Sequence, residues 1–174
     1  MMMKTVPSRD GSSDKQGFTL IEIMLVLAVI GIISIVTVPK YQALMDHYHL
    51  ESSVQTVVGQ LRYAKQLAMD QRKEIYLALD SRTVIVLDAS DKEYGGVQDF
   101  DSTVIFDSSS AESNDLKIDA YKAKGLPYVV YDARGFVENS PSSDGKVAIV
   151  LTTVRTAISA VIVIEVQTGN ITVQ

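Results

Sequence analysis

The sequence has no cysteine. No disulfide can staple the chain, even in a compartment that permits one, and no thiol is available as a nucleophile. Histidine is nearly absent too, occurring only at His47 and His49. With no Gly-x-Ser-x-Gly, phosphate-loop or His-Glu-x-x-His pattern, catalysis has nothing to stand on, and the chain reads as a non-enzyme with no cofactor. Basic residues are in the minority, 16 Lys and Arg against 21 Asp and Glu, for a formal net charge of -5. From Gln167 to Gln174 there is no Lys or Arg at all. Neutralising nucleic-acid phosphates needs clustered cations, so no nucleic-acid partner is expected.

Charge is scarcest between Gly17 and Pro39, where Glu22 alone carries one. A helix over the 21 residues from Phe18 to Val38, rising about 1.5 Å per residue, spans the roughly 30 Å of a bilayer's hydrocarbon core. Length alone is also met by a plain single-pass anchor, and a secretory signal peptide is the other simple reading. The run exceeds the usual apolar region of a signal peptide, and neither alternative accounts for Glu22. A carboxylate inside a membrane segment costs a few kcal/mol at mid-bilayer, which makes it a functional-site candidate by default.

The segment G-F-T-L-I-E, followed by an apolar run and Pro39, resembles the class III signal of type IV prepilins and type II secretion pseudopilins. The resemblance implies cleavage by a prepilin peptidase between Gly17 and Phe18, N-methylation of Phe18, and an assembly role for Glu22, the fifth residue of the mature chain. It departs from the usual pattern at Gln16, where Lys or Arg commonly precedes the glycine; Lys15 stands one place earlier. Lys4, Arg9 and Lys15 outweigh Asp10 and Asp14 in the leader, which favours a cytoplasmic N-terminus and an exported remainder. Many major pilins close a disulfide loop that this chain cannot form, so the resemblance points away from a major pilin.

Helical periodicity resumes after Pro39 and continues to about Arg72, with a kink or local unwinding expected at the proline. At 100° per residue the apolar stripe changes face. Tyr41, Leu44, Met45 and Tyr48 lie on one side; Leu50, Val54, Val57, Val58, Leu61, Ala64 and Ala68 lie roughly opposite. The second stripe is expected beneath the chain's own sheet. The first is free to pack on neighbouring subunits, or against lipid headgroups, which suits its tyrosines.

Beyond Arg72 the period becomes alternating, and strands are expected over 74–79, 83–88, 103–106, 115–120, 128–131, 135–138, 146–153, 157–166 and 170–173, with exposed loops over 89–102 and 139–145. The acidic residues Asp88, Asp91, Glu93, Asp99, Asp101 and Asp107 match no calcium-loop spacing and read as solvated charge. His47 and Glu51, one turn apart, lack a third metal ligand. Asp132-Ala-Arg-Gly135 reads as a tight turn whose arginine is a surface residue. Tyr128 to Val137, YVVYDARGFV, and the closing VIEVQTGNITV resemble the β-hairpins of the GspH/FimT subgroup of pseudopilins, as the stretch LRYAKQLAMDQRKEIYLAL resembles that subgroup's helix exit into its first strand.

The expected architecture is α+β, a pilin-like fold: a leader over 1–17, a transmembrane and assembly helix over 18–38, an amphipathic continuation over 39–72 and a β-rich periplasmic head over 73–174. The resemblance implies a minor pseudopilin of type II secretion, with other pseudopilins, prepilin peptidase and the inner membrane as partners. A FimT/FimU-like minor pilin priming a type IV pilus is the alternative.

Overall fold

The computed structural model describes residues 18–110, 116–118, 123–138 and 145–174. The chain divides after Lys40 into two units, the second running from Tyr41 to Gln174. Helix α1, Leu20–Gln71, supplies the described part of the first unit and opens the second.

Both ends of α1 are written in its side chains. Thr19 caps the start: its carbonyl accepts the Glu22 N–H at 3.1 Å and its hydroxyl accepts the same N–H at 3.3 Å. Thr19-x-x-Glu22 is a capping-box spacing, with the acid at the electropositive end of the helix. At the other end Arg72 takes a left-handed conformation, φ 52°, and the Lys73 N–H reaches back to the Ala68 carbonyl at 3.3 Å. That six-to-one bond satisfies a terminal carbonyl, at the cost of a non-glycine residue in the left-handed region. Pro39 removes one backbone donor, yet the helical assignment runs through it, so the local unwinding expected there does not occur.

Nine strands follow among the described residues: β1 Ile75–Leu79, β2 Thr83–Asp88, β3 Glu93–Asp99, β4 Val104–Phe106, β5 Lys117–Ile118, β6 Pro127–Tyr131, β7 Lys146–Thr153, β8 Ser159–Glu165 and β9 Ile171–Val173. They form two antiparallel sheets, in the orders β3-β2-β1-β6-β5 and β4-β7-β8-β9. The second α1 stripe, Leu50 through Ala68, is buried throughout and packs on the inner faces of both sheets, against Ile75, Leu77, Val86, Val129, Ile149, Leu151, Ile162 and Ile164. β1 is buried on both faces. Its other face carries Tyr76 and Ala78, packed with Ile85, Leu87, Ala123, Tyr128 and Val130. Tyr76 meets Tyr128 edge-on, ring centroids 5.3 Å apart.

Three expected elements differ. The stretch 89–102, read as a loop, contains β3, paired with β2 across a register shift between Val84 and Val86. Gly95 and Gly96, at φ 75° and 74°, look like a turn in sequence and belong to an irregular edge strand. The stretch 135–138 makes one isolated bridge, Tyr131 to Val137, instead of a strand. Of the strand expected over 115–120, β5 holds two residues; residues 115, 119 and 120 lie outside the described residues, as do 139–144 of the second expected loop.

Candidate assembly site

Gly17 lies outside the described residues. Phe18 precedes the helix and is 79% exposed; Glu22 sits in the first turn of α1. All side chains from Phe18 to Leu44 are exposed, including the apolar window long enough to cross a membrane. The two hydroxyls inside it are answered by the helix itself: Ser34 Oγ donates to the Ile30 carbonyl at 2.8 Å and Thr37 Oγ1 to the Ile33 carbonyl at 3.0 Å. Glu22 is thus the one group there whose charge needs something outside its own turn. Thr19, which accepts the Glu22 backbone N–H, was legible as the cap, since Thr-x-x-Glu before an apolar run is a helix-start signal.

The first stripe of the helix beyond Pro39 stays open to the surroundings, Tyr41, Leu44 and Tyr48 being exposed and Met45 half-buried. Within the same turns is an acid that sequence reasoning missed. Asp46 is only 1% exposed; Arg155 Nη1 stands 3.8 Å from its Oδ1, and its Oδ2 has no hydrogen-bond partner among the described residues. One turn on, His49 Nδ1 lies 2.9 Å from Asp101 Oδ2, and Ser53 Oγ accepts the Asp101 N–H at 3.2 Å. Helix residues 46–53 are therefore tied to the loop before β4 and the turn between β7 and β8.

The acidic residues are spread out, and among the described residues no three His, Asp or Glu side chains gather as metal ligands. Asp88 binds Lys73 Nζ at 2.9 Å and accepts the Ser90 and Lys92 N–H groups. The Lys73 hydrogen bond is the largest influence holding the Asp88 carboxyl well below the usual carboxylate range. Lys73 is raised in turn, by its bonds to Tyr94 and then Asp88. At Asp132, burial pushes upward, but hydrogen bonds from the Phe136 N–H and from Arg134 outweigh it and leave the carboxyl lowered. Asp101 is lowered by the Thr103 N–H and hydroxyl, Asp107 by the Ser109 hydroxyl and N–H.

Asp88 to Lys92 and Asp132 to Phe136 are copies of one turn. In each, the first aspartate's Oδ1 accepts N–H groups two and four residues on, and its own N–H donates to the carbonyl four residues on. Arg134 Nη2 lies 2.7 Å from Asp132 Oδ2 while its side chain is 74% exposed, so it staples its own turn. The two turns and Arg72 to Glu74 enclose a hollow of about 560 Å³. Of the charged side chains that line it, Lys73, Asp88 and Asp132 are committed to these pairs.

What the geometry provides is an exposed apolar helix with one acid at its start, continuing as the spine of a β-rich unit. Comparisons with known proteins agree with that construction. The prokaryotic N-terminal methylation motif matches residues 12–38. The type IV major fimbrial protein FimA of Dichelobacter nodosus is 38% identical over 60 residues, 34% of this chain and 38% of that protein. A fimbrial protein of Pseudomonas aeruginosa is 38% identical over 61 residues, 35% of this chain and 39% of that one. The chain thus spans less than two-fifths of the curated relatives it matches. The crystal structure of the type IV minor pilin FimU of Pseudomonas aeruginosa matches 75% of this chain and 92% of that one, with a TM-score of 0.51 at 15% identity, a likeness of fold: one long helix packed on antiparallel sheets. The family model described as type II transport protein GspH covers residues 53–168, from the buried stripe of α1 to the last hairpin, and the chain belongs to that family.

Proposed function

We propose that this protein is a minor pseudopilin of a type II secretion system, a membrane-held structural subunit without catalytic activity or cofactor. The observation that carries the reading is the pairing of the methylation motif over 12–38 with a type II transport family model over 53–168. In this reading prepilin peptidase cuts between Gly17 and Phe18 on the cytoplasmic side, Phe18 is N-methylated, residues 18–38 anchor the subunit in the inner membrane, and the remainder lies in the periplasm. The subunit then leaves the bilayer sideways into a filament of other pseudopilins that drives folded proteins across the outer membrane.

Glu22 is the docking group. After cleavage Phe18 carries an amine, and Glu22, four residues on, lies about 6 Å further along the axis. In a low-dielectric surround both charges require partners. The amine of an incoming subunit meets the Glu22 of a neighbour, which sets axial register while neutralising both. Glu22→Ala should therefore leave membrane insertion and cleavage intact and abolish assembly, measured by copurification with the other subunits and by export of a reporter substrate. Glu22→Asp, with a shorter arm and the same charge, should fall between. Normal assembly by Glu22→Ala would remove the acid from the mechanism.

The fimbrial names of the relatives that match about a third of the chain favour a second reading, a minor pilin that primes a type IV pilus. A chromosomal deletion separates the two. Loss of an exported substrate with intact surface pili supports the secretion role; the reverse supports the pilus.

A further inference from the structure

β9 ends its sheet, paired with β8 and, among the described residues, with no strand on its other side. Val161 and Gln174 exchange both backbone hydrogen bonds, at 3.1 and 2.9 Å, and the Glu165 N–H donates to the Asn170 carbonyl at 3.0 Å. By the alternation of an antiparallel ladder, Asn170, Thr172 and Gln174 turn their backbone groups toward β8, and Ile171 and Val173 turn theirs away. The outward groups are a ready template for another strand. The other described edges are blunted: β3 by the glycine irregularity and by Glu93 and Asp99, β4 by the bonds that its Val104 and Phe106 N–H groups make to the Asp101 and Ser81 carbonyls, and β5 by its length of two residues. In contrast, Val166 to Gln174 holds no charged residue.

The side chains of Ile171 and Val173 share a face with their partners Ile164 and Ile162, which point into the core beneath α1. Two hollows adjoin β9 on that face. One, of about 400 Å³, lies between Val173 and the helix residues Leu50, Glu51 and Val54; the other, of about 250 Å³, lies between Ile171 and Arg62. Glu51, Gln55 and Arg62 fall within about 40° of one another on the helix, with Glu51 and Arg62 about 16 Å apart along the axis, the span of about five strand residues. Both are exposed, and neither makes an ion pair among the described residues. The lead-in to β9 is fixed by Lys65 Nζ, which donates to the Thr168 carbonyl at 2.9 Å.

We propose that this edge and the groove beside it form a docking site for an extended segment of another protein. The segment runs antiparallel to β9, presents apolar residues at alternate positions toward the helix, begins with a basic residue beside Glu51 and ends with an acidic one beside Arg62. Main-chain bonds to Ile171 and Val173 hold it, the hollows take its apolar side chains, and the two helix charges fix its direction.

The test uses the full chain in detergent micelles, extended after Gln174 by a flexible Gly-Ser linker and the strand Lys-Thr-Val-Thr-Val-Thr-Glu, which returns antiparallel along β9. Amide hydrogen exchange at Ile171 and Val173 is the readout. In the unextended chain both exchange freely; the extension slows them by about tenfold or more. An extension with Lys and Glu interchanged protects them less, and in a chain carrying Glu51→Lys and Arg62→Glu the ranking inverts. Val173→Pro removes only an outward N–H, so it abolishes the protection of Ile171 while the Glu165 amide, bonded within the sheet, stays protected. The proposal is overturned if Ile171 and Val173 are already protected without the extension, which would mean that this chain or a second copy covers the edge. It is equally overturned if the extension gives no protection, if the two charge orders protect equally in both chains, or if Val173→Pro leaves Ile171 protected.

Discussion

Truncating Leu61 to alanine measures the division of α1 into two faces. Leu61 is 0% exposed and sits in the cluster that joins the helix to both sheets, whereas Leu44, nearly five turns earlier on the other stripe, is 50% exposed. Removing three carbons from a fully buried site forfeits about 0.8 kcal/mol each, or about 2.4 kcal/mol. A residual cavity of roughly 40 Å³ adds about 1 kcal/mol at ~24 cal/mol per Å³. Leu61→Ala should therefore cost about 3 to 3.5 kcal/mol, and for a unit of this size that lowers Tm by roughly 4 °C per kcal/mol, or about 12 to 14 °C. Leu44→Ala removes the same atoms from a surface that the head does not cover, and should change stability by less than about 0.5 kcal/mol. The assay is thermal unfolding by near-UV and far-UV circular dichroism of a fragment beginning at Tyr41, the start of the second unit, where both sites are present and the apolar span is not. If the two variants melt together, the second stripe is not the spine of the head, and the assignment of Leu50, Val54, Val57 and Ala68 falls with it.

Gly17→Arg should block processing, because the peptidase site accepts only a very small residue there. Mass spectrometry should find Phe18 at the N-terminus, methylated, in the parent chain and an uncut leader in the variant; a terminus elsewhere refutes the cleavage site. Gly169→Ala should destabilise the head by about 1 to 3 kcal/mol, because its φ is +60° and an added Cβ would lie 2.7 Å from the Gly135 carbonyl oxygen; chemical denaturation that leaves the variant unchanged contradicts that close approach. The lowered carboxyls of Asp88, Asp101, Asp107 and Asp132 contribute stability that is fully present above the ordinary carboxylate value, about pH 4, and is lost as pH falls through their folded values. Acid unfolding should accordingly become shallower in Asp88→Asn, which also leaves Lys73 without its carboxylate; an unchanged acid limb would show that the Lys73 to Asp88 pair carries none of it.

Much of this construction was readable in the sequence because its periods are strong. The switch from Tyr41, Leu44 and Tyr48 to Leu50, Val54, Val57 and Leu61 follows from 100° per residue alone. β2 and β7 were bounded by their β-branched runs and flanking turn residues. β3 was lost because Gly95-Gly96 is a strong local turn signal, and the approach of Tyr63, 3.3 Å from where a Cβ on Gly95 would stand, is a contact that sequence does not show. The bridge at Val137 was over-read as a strand because Phe136 and Val137 are strand formers; the turn closed by Asp132 leaves room for one pairing only. Asp46 could not be read at all. Its charge looks solvated in sequence, and what makes it buried is the turn carrying Arg155, more than a hundred residues later.

The position of Asp46 bears on how the helix divides its work. From Phe18 to Leu44 every side chain is exposed, and from Leu50 onward the inward face is covered by the sheets. Asp46 and His49 lie between, with Ser53 one turn on, each tied to or facing a loop of the head: Arg155 beyond β7, and Asp101 before β4. A buried carboxylate with one oxygen unanswered is costly, and replacing such a group by an apolar one of similar size often stabilises a fold. Its value must then lie in geometry. Apolar residues at 46 and 49 would continue the buried stripe toward the membrane segment and let the head slide along the helix by a turn. A charge that Arg155 meets favours one register of the sheets along the helix from Tyr41 onward.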